Sequence, residues 1–118
     1  MALIVQKYGG SSVADIAKIE NVAQKIIKVK EAGNDVVVVL SAMSGETDRL
    51  IGLAQQAHED PDEREYDALI STGEQVTVTL LAMVLRKLGF KARSFLGFQV
   101  KIHTDRAYKK ARILKIDT

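Results

Sequence analysis

The period of apolar positions changes several times along this chain, and each change marks an element. Residues 3–8 open with Leu3, Ile4 and Val5 and read as a strand. Over residues 14–32 the apolar positions Ile16, Ile19, Val22, Ala23, Ile26 and Ile27 recur on one side at helical spacing, and Gly33 follows as a C-terminal stop. Residues 36–40 (Val36, Val37, Val38, Val39 and Leu40) form an unbroken, mostly β-branched run, the pattern of a strand covered on both faces in a parallel sheet. Strand, helix and strand make a βαβ unit, and its right-handed crossover leaves the C-terminal ends of both strands on one edge.

Helical patterning then dominates. Residues 41–47 lead into a helix running to about His58, and Asp60, Pro61, Asp62 and Glu63 read as the capped start of another. The next helical stretch ends at Leu88, before Gly89. Its stripe of Val76, Leu80, Leu81, Val84, Leu85 and Leu88 resumes after an interruption at Ser71, Thr72, Gly73 and Glu74, where a break or a tight helix contact is expected. Residues 90–95 and 98–102 read as two short strands around Gly97, and residues 111–116 as the start of another.

Open α/β sheets bind ligands beyond the C-terminal ends of their strands. Two loops with suitable chemistry lie there. In the first, Lys7 precedes Gly9, Gly10, Ser11 and Ser12 where a strand gives way to a helix. Glycines let backbone N–H groups approach anionic oxygens, lysine adds a mobile charge, and a helix start adds its positive end. Neither a Gly-x-x-x-x-Gly-Lys-Ser/Thr loop nor a Gly-x-Gly-x-x-Gly fingerprint occurs, so this is a third kind of phosphate loop. The plainer alternative is a tight turn beside a solvated lysine. In the second loop, Ser41 and Ser44 suit helix capping or ligand contact, and Thr47 suits a first helical turn. Glu74 is either a surface charge or a buried or functional carboxylate, and Asp105 is most simply a turn residue.

Composition narrows the chemistry. The 118 residues suit a single small domain. Seventeen Lys and Arg against fifteen Asp and Glu leave a net charge of +2, little reason to expect nucleic acid as a partner. The basic cluster of Arg106, Lys109, Lys110, Arg112 and Lys115 reads as a solvated face. The absence of cysteine excludes disulfides, thiolate nucleophiles and cysteine-held metals. His58 and His103 lack ligand spacing, so no protein-built metal site is expected. No apolar run approaches the ~20 residues that span a membrane, and a reducing cytoplasm is the default compartment.

Taken together, four segments closely resemble the opening portion of the aspartate kinases, in that family's order and spacing. They are residues 7–13, residues 37–47, residues 71–74, and Gly97, Phe98 and Gln99 with Thr104 and Asp105. The resemblance covers essentially the whole chain. Ser11 stands where many members carry threonine, Leu96 replaces a small or hydroxylated residue, and Phe98 stands where tryptophan is frequent.

The resemblance implies an α/β fold, the three-layer α/β/α sandwich of the amino acid kinase (carbamate kinase-like) type. It implies transfer of the γ-phosphoryl of ATP, with Mg²⁺, to the β-carboxylate of L-aspartate, the first step toward lysine, threonine and methionine. By position, Lys7 would be catalytic, and Lys7, Tyr8, Gly9, Gly10, Ser41, Ala42 and Met43 would line the phosphate and ATP side. Ser11, Thr47 and Glu74 would contact aspartate. Because family members are several times longer, residues 1–118 are expected to be the N-terminal part of the kinase domain, without the nucleotide-binding half or the regulatory ACT domains. Such a part should be a weak kinase by itself, and should form a homo-oligomer or be completed by a partner. The alternatives are another enzyme of the fold, acting on glutamate, acetylglutamate, carbamate or a nucleotide monophosphate, and a non-catalytic module that binds an anion or a partner.

Overall fold

The structure is a computed structural model, and it describes residues 1–117. Strands β1 (Leu3–Tyr8) and β2 (Asp35–Leu40) pair in parallel, in register from Leu3 opposite Asp35 to Tyr8 opposite Leu40. Helix α1 (Ile16–Glu31) joins them, which realises the expected βαβ unit. Asp15 caps it by accepting from the Lys18 N–H at 2.8 Å, and Gly33 ends it at φ +93°. Residues Gly10–Val13 form a separate 3-10 turn, so the helix starts two residues later than its periodicity suggests. Ile16, expected on the buried stripe, is 47 % exposed. A helical side chain covers the turn N-terminal to its own Cα, and the first helical residue has no such turn.

Because side chains alternate across a strand, the sheet has two unlike faces. Tyr8, Val36, Val38 and Leu40 turn toward a core of Val13, Ile19, Val22, Ala23, Ile26, Ile27, Leu81 and Leu85. The odd positions face away: Leu3 is 66 % exposed, Val5 64 %, Val37 48 % and Val39 46 %. The β-branched run of β2 is therefore covered on one face rather than two. Helix α1 and a later helix, α4 (Thr72–Lys87), supply that cover, and no described element lies on the opposite face.

Helices α2 (Glu46–Ala57), α3 (Glu63–Ile70) and α4 (Thr72–Lys87) follow. As expected, Asp62 caps α3, accepting from the Glu65 N–H at 3.1 Å, and Gly89 closes α4 at φ +90°. The interruption at Ser71 is a true break. The Ser71 hydroxyl donates to the Ala68 carbonyl at 2.9 Å and the Thr72 hydroxyl to the Leu69 carbonyl at 2.7 Å, bonds that compete with a continuous ladder. Contrary to the sequence expectation, residues Glu63–Lys87 taken as one helical stretch are long and apolar enough to cross a membrane. Ser71 interrupts that stretch, and Thr77, Leu81 and Leu85 of α4 are buried in the protein.

The C-terminal third departs most from its pattern. Residues 90–95 alternate in exposure as a strand would, yet they join no sheet. Their backbone is satisfied otherwise: the Phe90 N–H donates to the Leu85 carbonyl at 3.0 Å, and the Ala92 carbonyl accepts from Arg86 Nε at 2.8 Å. The strand expected over residues 98–102 forms only from Ile102 onward. A 3-10 turn at Gly97–Gln99, closed by the Gln99 side chain accepting from the Leu96 N–H at 2.7 Å, leads to Lys101 at φ +51°. Strand β3 (Ile102–Thr104) then pairs antiparallel with β4 (Ile113–Ile116), the strand expected near residue 111. Asp105 is the turn residue anticipated, its carboxylate accepting from the Ala107 and Arg112 N–H groups. The hairpin is tied to α3 by the Lys109 N–H, which donates to the Asp67 carboxylate at 2.7 Å.

Candidate active site

The first loop starts on the open face of the sheet. Lys7 sits there opposite Val39, exposed, and among the described residues it makes no ion pair or side-chain hydrogen bond. Tyr8 takes the other face. Its hydroxyl donates to Gln6 Oε1 at 3.1 Å, and partial burial pushes the phenol above its ordinary value of 10.0. Only the Tyr8 backbone serves the loop edge: its carbonyl accepts from the Ser41 N–H at 3.1 Å, which ties the start of the second loop to the first.

Beyond the strand ends the two loops touch. A Cβ added at Gly10 would stand 2.9 Å from the Ala42 carbonyl oxygen and 3.6 Å from the Ser44 backbone, so only glycine allows this approach. Gly9, by contrast, has nothing within 4 Å of such an atom. Gly9 precedes the 3-10 turn without capping it through any side chain, and Ser11 is exposed within that turn. The leading N–H groups of a helical turn have no partners inside it, so they are available to an anion.

Neither Ser41 nor Ser44 caps α2. Gly45, at φ +79°, takes the N-cap position, and no side chain bonds the first turn. The turn is instead closed by the Glu46 N–H donating to the Met43 carbonyl at 2.9 Å. Ala42 is buried beneath the loop, Met43 is half-buried, and Thr47 is half-buried in the first turn of α2. The third segment arrives through α4. A Cβ on Gly73 would stand 3.0 Å from Ala42 Cβ and 3.8 Å from Glu46 Cγ, so the first turn of α4 lies against both the second loop and the first turn of α2. Glu74, next in the chain, is exposed rather than buried and has no ion-pair partner among the described residues.

One pair at this edge escaped the sequence reading. Arg49 Nη2 and Nε donate to the Glu46 carboxylate at 2.6 and 3.0 Å, and this hydrogen bonding holds the carboxyl below its ordinary value of 4.5. The signal was an acid and a base three residues apart in a first helical turn. Among the described residues, no group of three or more His, Asp or Glu is arranged to hold a metal ion. A cavity of about 730 Å³ lies away from this edge, between the free side of β2, the end of α4 and residues 90–95. Val36, Val38, Leu81, Leu85 and Phe90 line it.

Gly10 thus brings two βα loops into contact at the C-terminal edge of a parallel sheet. The model of the amino acid kinase family matches residues 2–118. The chain belongs to the amino acid kinase family. Within it, an aspartokinase of Pseudomonas aeruginosa is 62% identical over 117 residues, which are 99% of this chain and 28% of that protein. An aspartokinase of Bacillus sp. (strain MGA3) is 52% identical over 118 residues, 100% of this amino acid kinase chain and 29% of its relative. The crystal structure of aspartate kinase from Synechocystis superposes with a TM-score of 0.79 at 49% identity, covering 83% of this chain and 17% of that one. This amino acid kinase chain thus spans less than a third of the length of the curated relatives it matches.

Proposed function

We propose that these residues carry the phosphate loop and the aspartate-recognising residues of an aspartate kinase, which moves the γ-phosphoryl group of ATP to the β-carboxylate of L-aspartate, giving 4-phospho-L-aspartate and ADP. The observation that carries this reading is the meeting of three separated segments at one sheet edge, Gly10 and Gly73 both lying against Ala42. The similarity to aspartokinases across 99% of the chain supports the choice of acceptor.

Both reactants are anions, so the work is positioning and charge compensation. Lys7, held by β1 with no competing partner among the described residues, neutralises charge on the transferring phosphoryl group. Gly9 and Gly10 bring backbone N–H groups close, with the backbones of Tyr8, Ser41, Ala42 and Met43 along the same side. The exposed carboxylate of Glu74 receives the substrate ammonium group, and Ser11 and Thr47 offer hydroxyls to its carboxylates. The attacking carboxylate is already ionised at neutral pH and needs no general base. Mg²⁺ arrives with ATP, held mainly through phosphate oxygens.

On this reading residues 1–118 are the first part of a kinase domain of cytoplasmic biosynthesis. Further chain of that domain supplies most of the nucleotide pocket and covers the apolar face of Leu3, Val5, Val37 and Val39, and the whole protein forms a homo-oligomer. The test is to express the polypeptide from its native gene and trap its product with hydroxylamine. Aspartyl hydroxamate, formed only with both ATP and L-aspartate, is the expected result. Preference for glutamate, acetylglutamate, carbamate or a nucleotide monophosphate would overturn the acceptor assignment.

A further inference from the structure

The geometry points to Gly73 as a positioning residue for aspartate recognition, acting through Ala42 and resting on the reading of Glu74 given above. Gly73 is buried in the first turn of α4, where nothing about its backbone requires glycine: its φ is not in the left-handed region. Helix propensity favours alanine at a helical position, so the reason for glycine has to be spatial. That reason is the contact with Ala42. A methyl group on Gly73 would be 3.0 Å from Ala42 Cβ, 3.7 Å from Leu50 Cδ1 and 3.8 Å from Glu46 Cγ. The first of these is too short for two carbons, whose favourable separation is about 3.5–4.0 Å.

Neither side of the contact can yield freely. Ala42 is 5 % exposed, and its carbonyl oxygen is the atom against which Gly10 rests. The Gly73 carbonyl accepts from the hydroxyl of Thr77, which is fully buried, at 3.2 Å. Ala42 therefore stands between the phosphate loop on one side and the start of α4 on the other. A side chain at Gly73 would push the first turn of α4, with the Glu74 carboxylate, away from the phosphate loop by a few tenths of an ångström. Reaction and recognition geometry is sensitive at that scale, a displacement of about 1 Å costing on the order of a hundredfold.

The experiment uses the polypeptide expressed from its native gene. It compares wild type, Gly73→Ala, Ala42→Gly and the double variant by steady-state kinetics in both substrates, with urea midpoints alongside. Gly73→Ala is expected to raise the KM for aspartate roughly tenfold while the KM for ATP changes less than about threefold. In the double variant the deleted Ala42 methyl makes room for the new one, and the aspartate KM returns to that of Ala42→Gly alone. A purely structural role would lower the urea midpoint and leave the ratio of the two KM values untouched, and that result overturns the inference. So does an elevated aspartate KM that the second substitution fails to restore. If wild type phosphorylates no aspartate at all, the functional reading fails and the inference falls with it; failure of the variants in an active enzyme sinks the inference alone.

Discussion

Lys7 and Gly10 do different work three residues apart, and their substitutions should separate accordingly. On the proposed function, removing the Lys7 charge affects what is stabilised when charge redistributes on the phosphoryl group. Lys7→Ala should therefore lower kcat by roughly 10²–10³ while the KM for aspartate moves little. Steady-state kinetics on the polypeptide from the native gene measure this, and intact turnover would remove Lys7 from the catalytic role. Gly10→Ala acts by packing, since its methyl would stand 2.9 Å from a backbone oxygen. A loss of about 1–3 kcal/mol is expected from the urea midpoint. Gly9→Ala, with open space at φ −80°, should stay within about 0.5 kcal/mol of wild type.

Among the elements, α2 shows how a helix start serves the site when it lacks a capping side chain. Glu46 occupies its first turn, where negative charge complements the helix dipole, and Arg49 holds the carboxyl below 4.5 through two hydrogen bonds. A depressed carboxyl binds fewer protons in the folded state than in the unfolded one. Its contribution to stability is therefore present above pH 4.5 and fades as pH falls through the lower folded value. The effect is small because the pair is exposed to solvent and screened by salt. The difference in urea midpoint between wild type and Arg49→Met should be measurable near neutral pH and shrink as pH falls below 4.5. A difference that persists in acid would mean that Arg49 acts through packing alone. In α3 and α4, by contrast, the Ser71 and Thr72 hydroxyls bond carbonyls at the end of α3, and Gly73 in the first turn of α4 lies against Ala42.

The whole molecule is unevenly covered. Its core lies on one face of a two-stranded sheet, while Leu3, Val5, Val37 and Val39 lie open on the other and the outer side of β2 is unpaired among the described residues. Contiguous apolar surface and free strand edges drive association. The 118-residue chain should accordingly sediment as larger species with rising concentration, and Val37→Lys should shift it toward monomer with its helical signal unchanged. A well-folded monomer that binds no hydrophobic dye would contradict the expectation.

Local periodicity in the sequence determined β1, the body of α1, β2, the capped start of α3 and the ends of α1 and α4 at Gly33 and Gly89, because those features depend on neighbours within a few residues. The motif at Lys7, Gly9 and Gly10 and the interruption at residues 71–74 were legible for the same reason, as departures from a regular pattern. Tertiary structure alone decided the rest. A β-branched run reports that a strand is apolar, but only the placement of α1 and α4 shows which face is covered. Alternation in residues 90–95 satisfies the pattern of a strand, yet a strand also needs a partner for its backbone, and here Leu85 and Arg86 take that place. Likewise, nothing in residues 10, 42 and 73 taken singly announces a contact. Folding brings all three to one point, where the absence of side chains on two of them sets how closely the loop after β1, the loop after β2 and the start of α4 can approach.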